Sequence, residues 1–199
     1  ELRADALERM VAAGGETEEL YGWLLEAAHV HFRETRQLEQ ASRLYRDATA
    51  TLPNRHEGWF GLAEVIHEQD GAKAGYQVLL EGLAELKHTE ASAIDTHRRL
   101  AGLAEEAGNL EAEVVHLDQL VDFKVADQAE ATRLLDVLTE LERLPQLCTR
   151  LEAWALSGEL LEPEALYMRS AEVREKLGET NRAFDIYEML IRQRGYTAN

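Results

Sequence analysis

Residues 163–194 read PEALYMRSAEVREKLGETNRAFDIYEMLIRQR. Proline at the front fits a first helical turn, whose N–H has no intrahelical partner in any case. Ala171 lies in the helix that follows. Gly178 then interrupts the pattern, as a C′ residue that must adopt positive φ would. Beyond it Ala183, Tyr187 and Leu190 recur at helical spacing. The stretch is two helices joined by a short turn.

The same punctuation runs back through the chain. Gly71 and Gly108 each close one helical stretch and precede another. Pro53 closes a helix, and Pro145 sits in a first turn. Between the breakers the apolar residues follow i, i+3, i+4, i+7, as in Leu100, Leu103, Ala104 and Ala107, or Leu134, Leu135, Leu138 and Leu141. No segment sustains the period-2 alternation of a strand. The pattern predicts helices over 2–13, 18–34, 37–51, 56–69, 72–86, 91–107, 109–123, 127–142, 145–157, 163–177 and 180–194. Paired from residue 18 onward they make five hairpins, with first helices centred near 27, 62, 99, 135 and 170, a period of 34 to 37 residues. The expected fold is all-α: antiparallel helical hairpins stacked as a right-handed superhelix, in one continuous domain over 1–199. The lone helix at 2–13 reads as the second half of a further hairpin. Neither end resembles a polar cap, so the chain reads as a piece of a longer solenoid.

Several residues support a resemblance to the tetratricopeptide repeat (TPR) family over about 18–194. The first unit offers Leu25, Ala28 and Phe32, then Ala41, Tyr45 and Ala48, then Pro53. The second offers Trp59, Leu62 and Ala63, then Gly75, Leu79 and Gly82. The last offers Ala171, Gly178, Ala183, Tyr187 and Leu190. Small residues let helices approach closely, and the large residue a turn away fills the gap beside them. The third and fourth units depart from the motif. Glu113 stands in a slot that usually takes Ala, and Pro145 shortens a turn.

Composition narrows function. The chain has 199 residues, with 38 Asp+Glu against 21 Lys+Arg and a formal charge of -17. Such a chain is a poor partner for nucleic acid or anionic lipid, both of which recruit Lys and Arg. No apolar run is long enough to span a bilayer. Cys148, the one cysteine, lies inside a predicted helix with no adjacent base and reads as a packing residue. The seven histidines are His29, His31, His56, His67, His88, His97 and His116. They form no metal-binding motif: His29 and His31 point to different sides of one helix. No serine sits in a nucleophile elbow, and Gly14-Gly15 reads as a turn rather than a phosphate loop. No enzyme, no cofactor and no metal site is expected.

The TPR resemblance implies that the first helices line a concave binding face. Helical phasing puts Trp23, Glu26, Val30 and Arg33 there from the first hairpin, and Glu57, Phe60, Glu64 and His67 from the second. Asp95, Arg98 and Glu105 come from the third, Thr132, Asp136 and Thr139 from the fourth, and Met168, Glu172 and Glu175 from the fifth. Eight of these are acidic and two are basic. This predicts an acidic groove with aromatic anchors, binding a basic or amphipathic segment of a partner protein. A carboxylate clamp of the chaperone-binding type is not expected, because the corresponding stretch carries Glu26, Val30 and Gly61. The alternative also follows from the resemblance. Bacterial TPR solenoids form periplasmic arms of exopolysaccharide exporters, and 17 Arg against 4 Lys suggests a GC-rich bacterial genome. There the groove would recruit a modifying enzyme or guide a cationic polysaccharide. Both bacterial cytoplasm and periplasm stay open as compartments.

Overall fold

A computed structural model of the chain describes residues 2–86, 90–158 and 161–197; His88 lies outside them. Among the described residues there are eleven α-helices and no strand. They are α1 (Leu2–Ala13), α2 (Thr17–Arg33), α3 (Leu38–Thr51), α4 (His56–Asp70), α5 (Ala72–Glu85), α6 (Glu90–Glu106), α7 (Leu110–Asp122), α8 (Gln128–Glu140), α9 (Leu144–Ser157), α10 (Pro163–Lys176) and α11 (Thr180–Thr197). Every helix end falls within two residues of its expected position, except that α11 runs three residues further. The chain divides into two compact units, Glu1–His116 and Leu117–Asn199, with the division inside α7.

In the first unit each helix from α1 to α5 packs on the next, and α2 also meets α4. Ala27, Ala28, Phe32, Ala41 and Ala48 are buried at this junction. The small slots are required by close approach. A Cβ on Gly61 would lie 2.2 Å from the Tyr45 ring, and one on Gly82 would lie 2.7 Å from the Trp59 indole.

The start of α4 is held by its neighbour. Arg55 at its N-cap makes no side-chain cap, which leaves first-turn N–H groups to be satisfied from elsewhere. The buried Tyr21 hydroxyl, reaching from α2, accepts from the Gly58 N–H at 3.1 Å and donates to Glu57 Oε2 at 3.3 Å. Burial pushes this phenol up to about 12.

In the second unit α9 packs between α8 and α10, and α10 packs on α11. Leu134, Leu135, Leu138, Leu147 and Leu151 are wholly buried. The start of α8 carries a reciprocal cap: Asp127 accepts from the Glu130 N–H at 2.9 Å, and Glu130 accepts from the Asp127 N–H at 2.9 Å. Cys148 is buried on α9, where burial pushes its thiol up rather than activating it.

α6 and α10 end in the same kind of turn. The Gly108 N–H donates to Glu105 and the Asn109 N–H to Ala104. Likewise the Gly178 N–H donates to Glu175 and the Glu179 N–H to Arg174. These are Schellman turns, with φ of 66° and 76° at the two glycines. The expected left-handed residue at Gly71 is corrected: its φ is 88° but its ψ is 173°, an extended positive-φ conformation that closes α4 and opens α5 directly.

Two buried polar clusters, one in each unit, contrast in chemistry. In the first unit His116 is 3% exposed, contacting Tyr76 Oη through Nε2 and His97 Nδ1 through Nδ1, both at 3.0 Å. Burial, with a contribution from His97, pulls the His116 imidazole down to about 4. In the second unit Arg174 donates to both oxygens of Glu152, at 2.6 and 2.9 Å, and also to Glu179. The buried Ser170 hydroxyl donates to Glu152 at 2.7 Å. The Arg174 hydrogen bonds hold the Glu152 carboxyl below the usual carboxylate range.

Candidate partner-binding surface

The expected binding residues fall into the two units separately. In the first they lie on α2, α4 and α6. Val30 is corrected outright: at 1% exposure it belongs to the core. α2 is flanked by α1, α3 and α4, so its buried arc is wider than a simple amphipathic stripe. Trp23 is half-buried, its ring against the turn at Gly15, where a Cβ would come within 2.9 Å.

The acids of this face are mostly paired. Glu26 accepts from Arg3 at 2.7 Å, and the same guanidinium reaches Glu34 at 3.1 Å. Arg33 on α2 pairs with Glu64 on α4, and Arg36 with Glu68. Glu57 faces Arg55 at 3.5 Å as well as Tyr21. His67 Nε2 lies 2.9 Å from Glu106 on α6. Asp95, Arg98 and Glu105 are exposed on α6, and Arg98 and Glu105 are both engaged. The local field is therefore far less negative than the count of carboxylates implies, since each paired arginine cancels a charge at close range.

Phe60 stands out within this pattern. It is half-buried, its ring tilted against His56 at 5.2 Å between centroids, with the Arg99 guanidinium 4.3 Å above it. Phe60, Glu64 and His67, three of the residues chosen by phasing, line one hollow between α4 and α6 of about 170 Å³. Ala63, Leu79 and Leu103 supply its apolar lining. Phasing missed Arg99, which also lines it. The Arg98-Arg99 pair was the available signal, and only its first member was taken. Arg3 and Arg36 were missed as well, because their partners lie a whole repeat away.

In the second unit the residues lie on α8 and α10. Asp136 meets Arg169 at 3.3 Å, and Arg169 also donates to the Thr139 hydroxyl at 2.9 Å. The Thr132 hydroxyl donates to its own helix at Gln128. Met168, Glu172 and Glu175 are exposed on α10.

No protein-family model matches this chain, and no curated protein matches it. Solved structures do. YrrB, a TPR protein with an unusual peptide-binding site, superposes with a TM-score of 0.55 at 12% identity, over 95% of this chain and 92% of its own. The MamA protein gives 0.52 at 13% identity, over 93% and 96%. A Podosopora anserina kinesin light chain with nearly identical TPR-like repeats gives 0.50 at 16% identity, over 93% and 99%. The chain has the all-α fold of tetratricopeptide-repeat proteins. No helix of the described residues is long and apolar enough to cross a membrane.

Proposed function

We propose that the chain is a non-catalytic protein-interaction scaffold, and that the face formed by α2, α4 and α6 holds an amphipathic segment of a partner protein. One observation carries the reading. Phe60, a half-exposed aromatic, walls an apolar hollow whose rim is charged, the composition of an interface anchor point. The ion pairs along the face favour an amphipathic ligand over a purely basic one. They orient and select a partner more than they add affinity.

The test is a cross-linked pull-down from cells of the source organism, comparing wild type with Phe60→Ala and Glu64→Arg, each checked by circular dichroism for equal helicity. The expected result is a partner retained by wild type and lost by both variants. Retention of the same proteins by all three would overturn the reading.

The exopolysaccharide reading draws its support from the second unit, where Glu172 and Glu175 are exposed carboxylates on one face of α10. Titration calorimetry with a chitosan oligomer tests it: heat lost in a Glu172→Gln/Glu175→Gln variant supports that reading, and no heat with wild type removes it.

A further inference from the structure

The hollow between α4 and α6 has a feature that packing does not require. Gly102 lies inside α6 and lines the hollow, and a Cβ built on it meets nothing within 4 Å. It has no positive φ. Gly61, Gly75 and Gly82 differ in kind, since a Cβ on any of them would come within 3 Å of a neighbouring atom. Glycine inside a helix weakens it relative to alanine. At Gly102 the loss gains no closer packing; what it yields is open space above an apolar floor of Ala63 and Leu79. A volume of about 170 Å³ exceeds that of a single water, about 30 Å³. It falls below the roughly 300 Å³ at which small-molecule sites begin. It matches one side chain.

The rim then sets the charge of what enters. Glu64 is held by Arg33, and Glu106 by His67. Arg99 stacks on Phe60 and has no carboxylate partner among the described residues. Its guanidinium keeps its N–H donors for a planar acceptor while it rests on the ring.

We infer that this hollow is a subsite for one apolar side chain of a bound peptide, flanked within a helical turn by an acidic side chain that seats on Arg99. Gly102 keeps the subsite open. The inference rests on the proposed scaffold reading and adds the chemistry of the ligand: an apolar residue next to Asp or Glu.

The experiment selects 12-residue peptides from a random phage library on the full chain, then measures synthetic copies by fluorescence anisotropy. The selected peptides are expected to share an apolar residue within four positions of Asp or Glu. Gly102→Leu starts from a Cβ that meets nothing within 4 Å, projects into the hollow, and is expected to weaken binding at least tenfold while helicity is kept or raised. Arg99→Glu is expected to weaken it comparably, and exchanging the peptide's acidic residue for Lys is expected to recover binding to that variant alone. If the peptides respond to Glu64→Arg but bind Gly102→Leu unchanged, the subsite is wrong and the scaffold reading stands. If no peptide is selected, or if none responds to any substitution on α2, α4 or α6, both fall.

Discussion

At the junction of α5, α6 and α7 the buried polar contacts run Tyr76–His116–His97, centred on the His116 imidazole, which burial keeps neutral at pH 7. Between α9, α10 and α11 they run Ser170–Glu152–Arg174–Glu179, one neutral hydroxyl and three charged groups. Both solve the same problem, since a buried polar atom without a partner is costly. Among the described residues no buried side-chain nitrogen or oxygen lacks one. The two clusters nevertheless fail under different conditions. A neutral imidazole chain fails when a proton arrives. An ionic cluster is indifferent to mild acid but intolerant of losing one member.

The largest expected effect tests the ionic side. The Arg174 side chain is 12% exposed, so Arg174→Met strips Glu152 of its ion-pair partner and leaves Glu179 only the exposed Arg182 at 3.3 Å. The expected loss is about 3 kcal/mol, read by hydrogen exchange in peptides from α9 and α10, with α5 and α6 unchanged. A loss under about 1 kcal/mol would mean that Glu152 is effectively solvated, and the contrast would collapse.

Acid tests the neutral side. His116 has a folded pKa of about 4 against an ordinary 6.5, so the unfolded chain binds the proton more readily. Stability is complete above 6.5 and is lost as pH falls from there towards 4, amounting to about 2 kcal/mol by pH 5. Glu152 is shifted down from 4.5, so its contribution persists at pH 5 and fades only below that value. Urea unfolding at pH 7 and pH 5 is expected to show the loss in wild type and not in His116→Gln. An equal loss in both would assign it elsewhere.

A smaller change comes from Tyr76→Phe, which removes one hydrogen bond to His116. The expected loss is about 1 kcal/mol, measured from the urea midpoint at pH 7. Smallest is Arg36→Ala. Its pair with Glu68 is at the surface, with Arg36 57% exposed, and the expected change is below about 0.5 kcal/mol. A larger change there would erase the distinction between exposed and enclosed ion pairs on which the Arg174 prediction depends.

The helices and packing slots were legible because their causes are local. Gly108 and Gly178 announce Schellman turns. The same turn recurs at Lys124 and Glu142, with φ of 58° and 52°, where no glycine gives it away, and there only the apolar phase placed the helix end. The small slots at Gly75 and Gly82 were read from the resemblance to the repeat motif, and both lie where a neighbour approaches closely. The surface placement of the candidate residues was half legible. Phasing found Phe60, Glu64 and His67 and brought them to one hollow. It misassigned Val30 because the burial of α2 depends on α1 and α4 as well as on its own pattern. It also read the acids as a groove, because a helical wheel shows each charge on its own helix and never the arginine one repeat away.

That spacing has a consequence for how such a chain can change length. Arg3–Glu34, Arg33–Glu64, Arg36–Glu68, Asp118–Arg150 and Asp136–Arg169 join residues 31, 31, 32, 32 and 33 positions apart. Each pair links a residue to its counterpart about one repeat on. Duplicating or excising a whole repeat preserves this spacing. An insertion of a few residues within a helix strands charges on both sides of it. The ion pairs therefore mark the register between neighbouring repeats, the exposed ones each adding only a small increment.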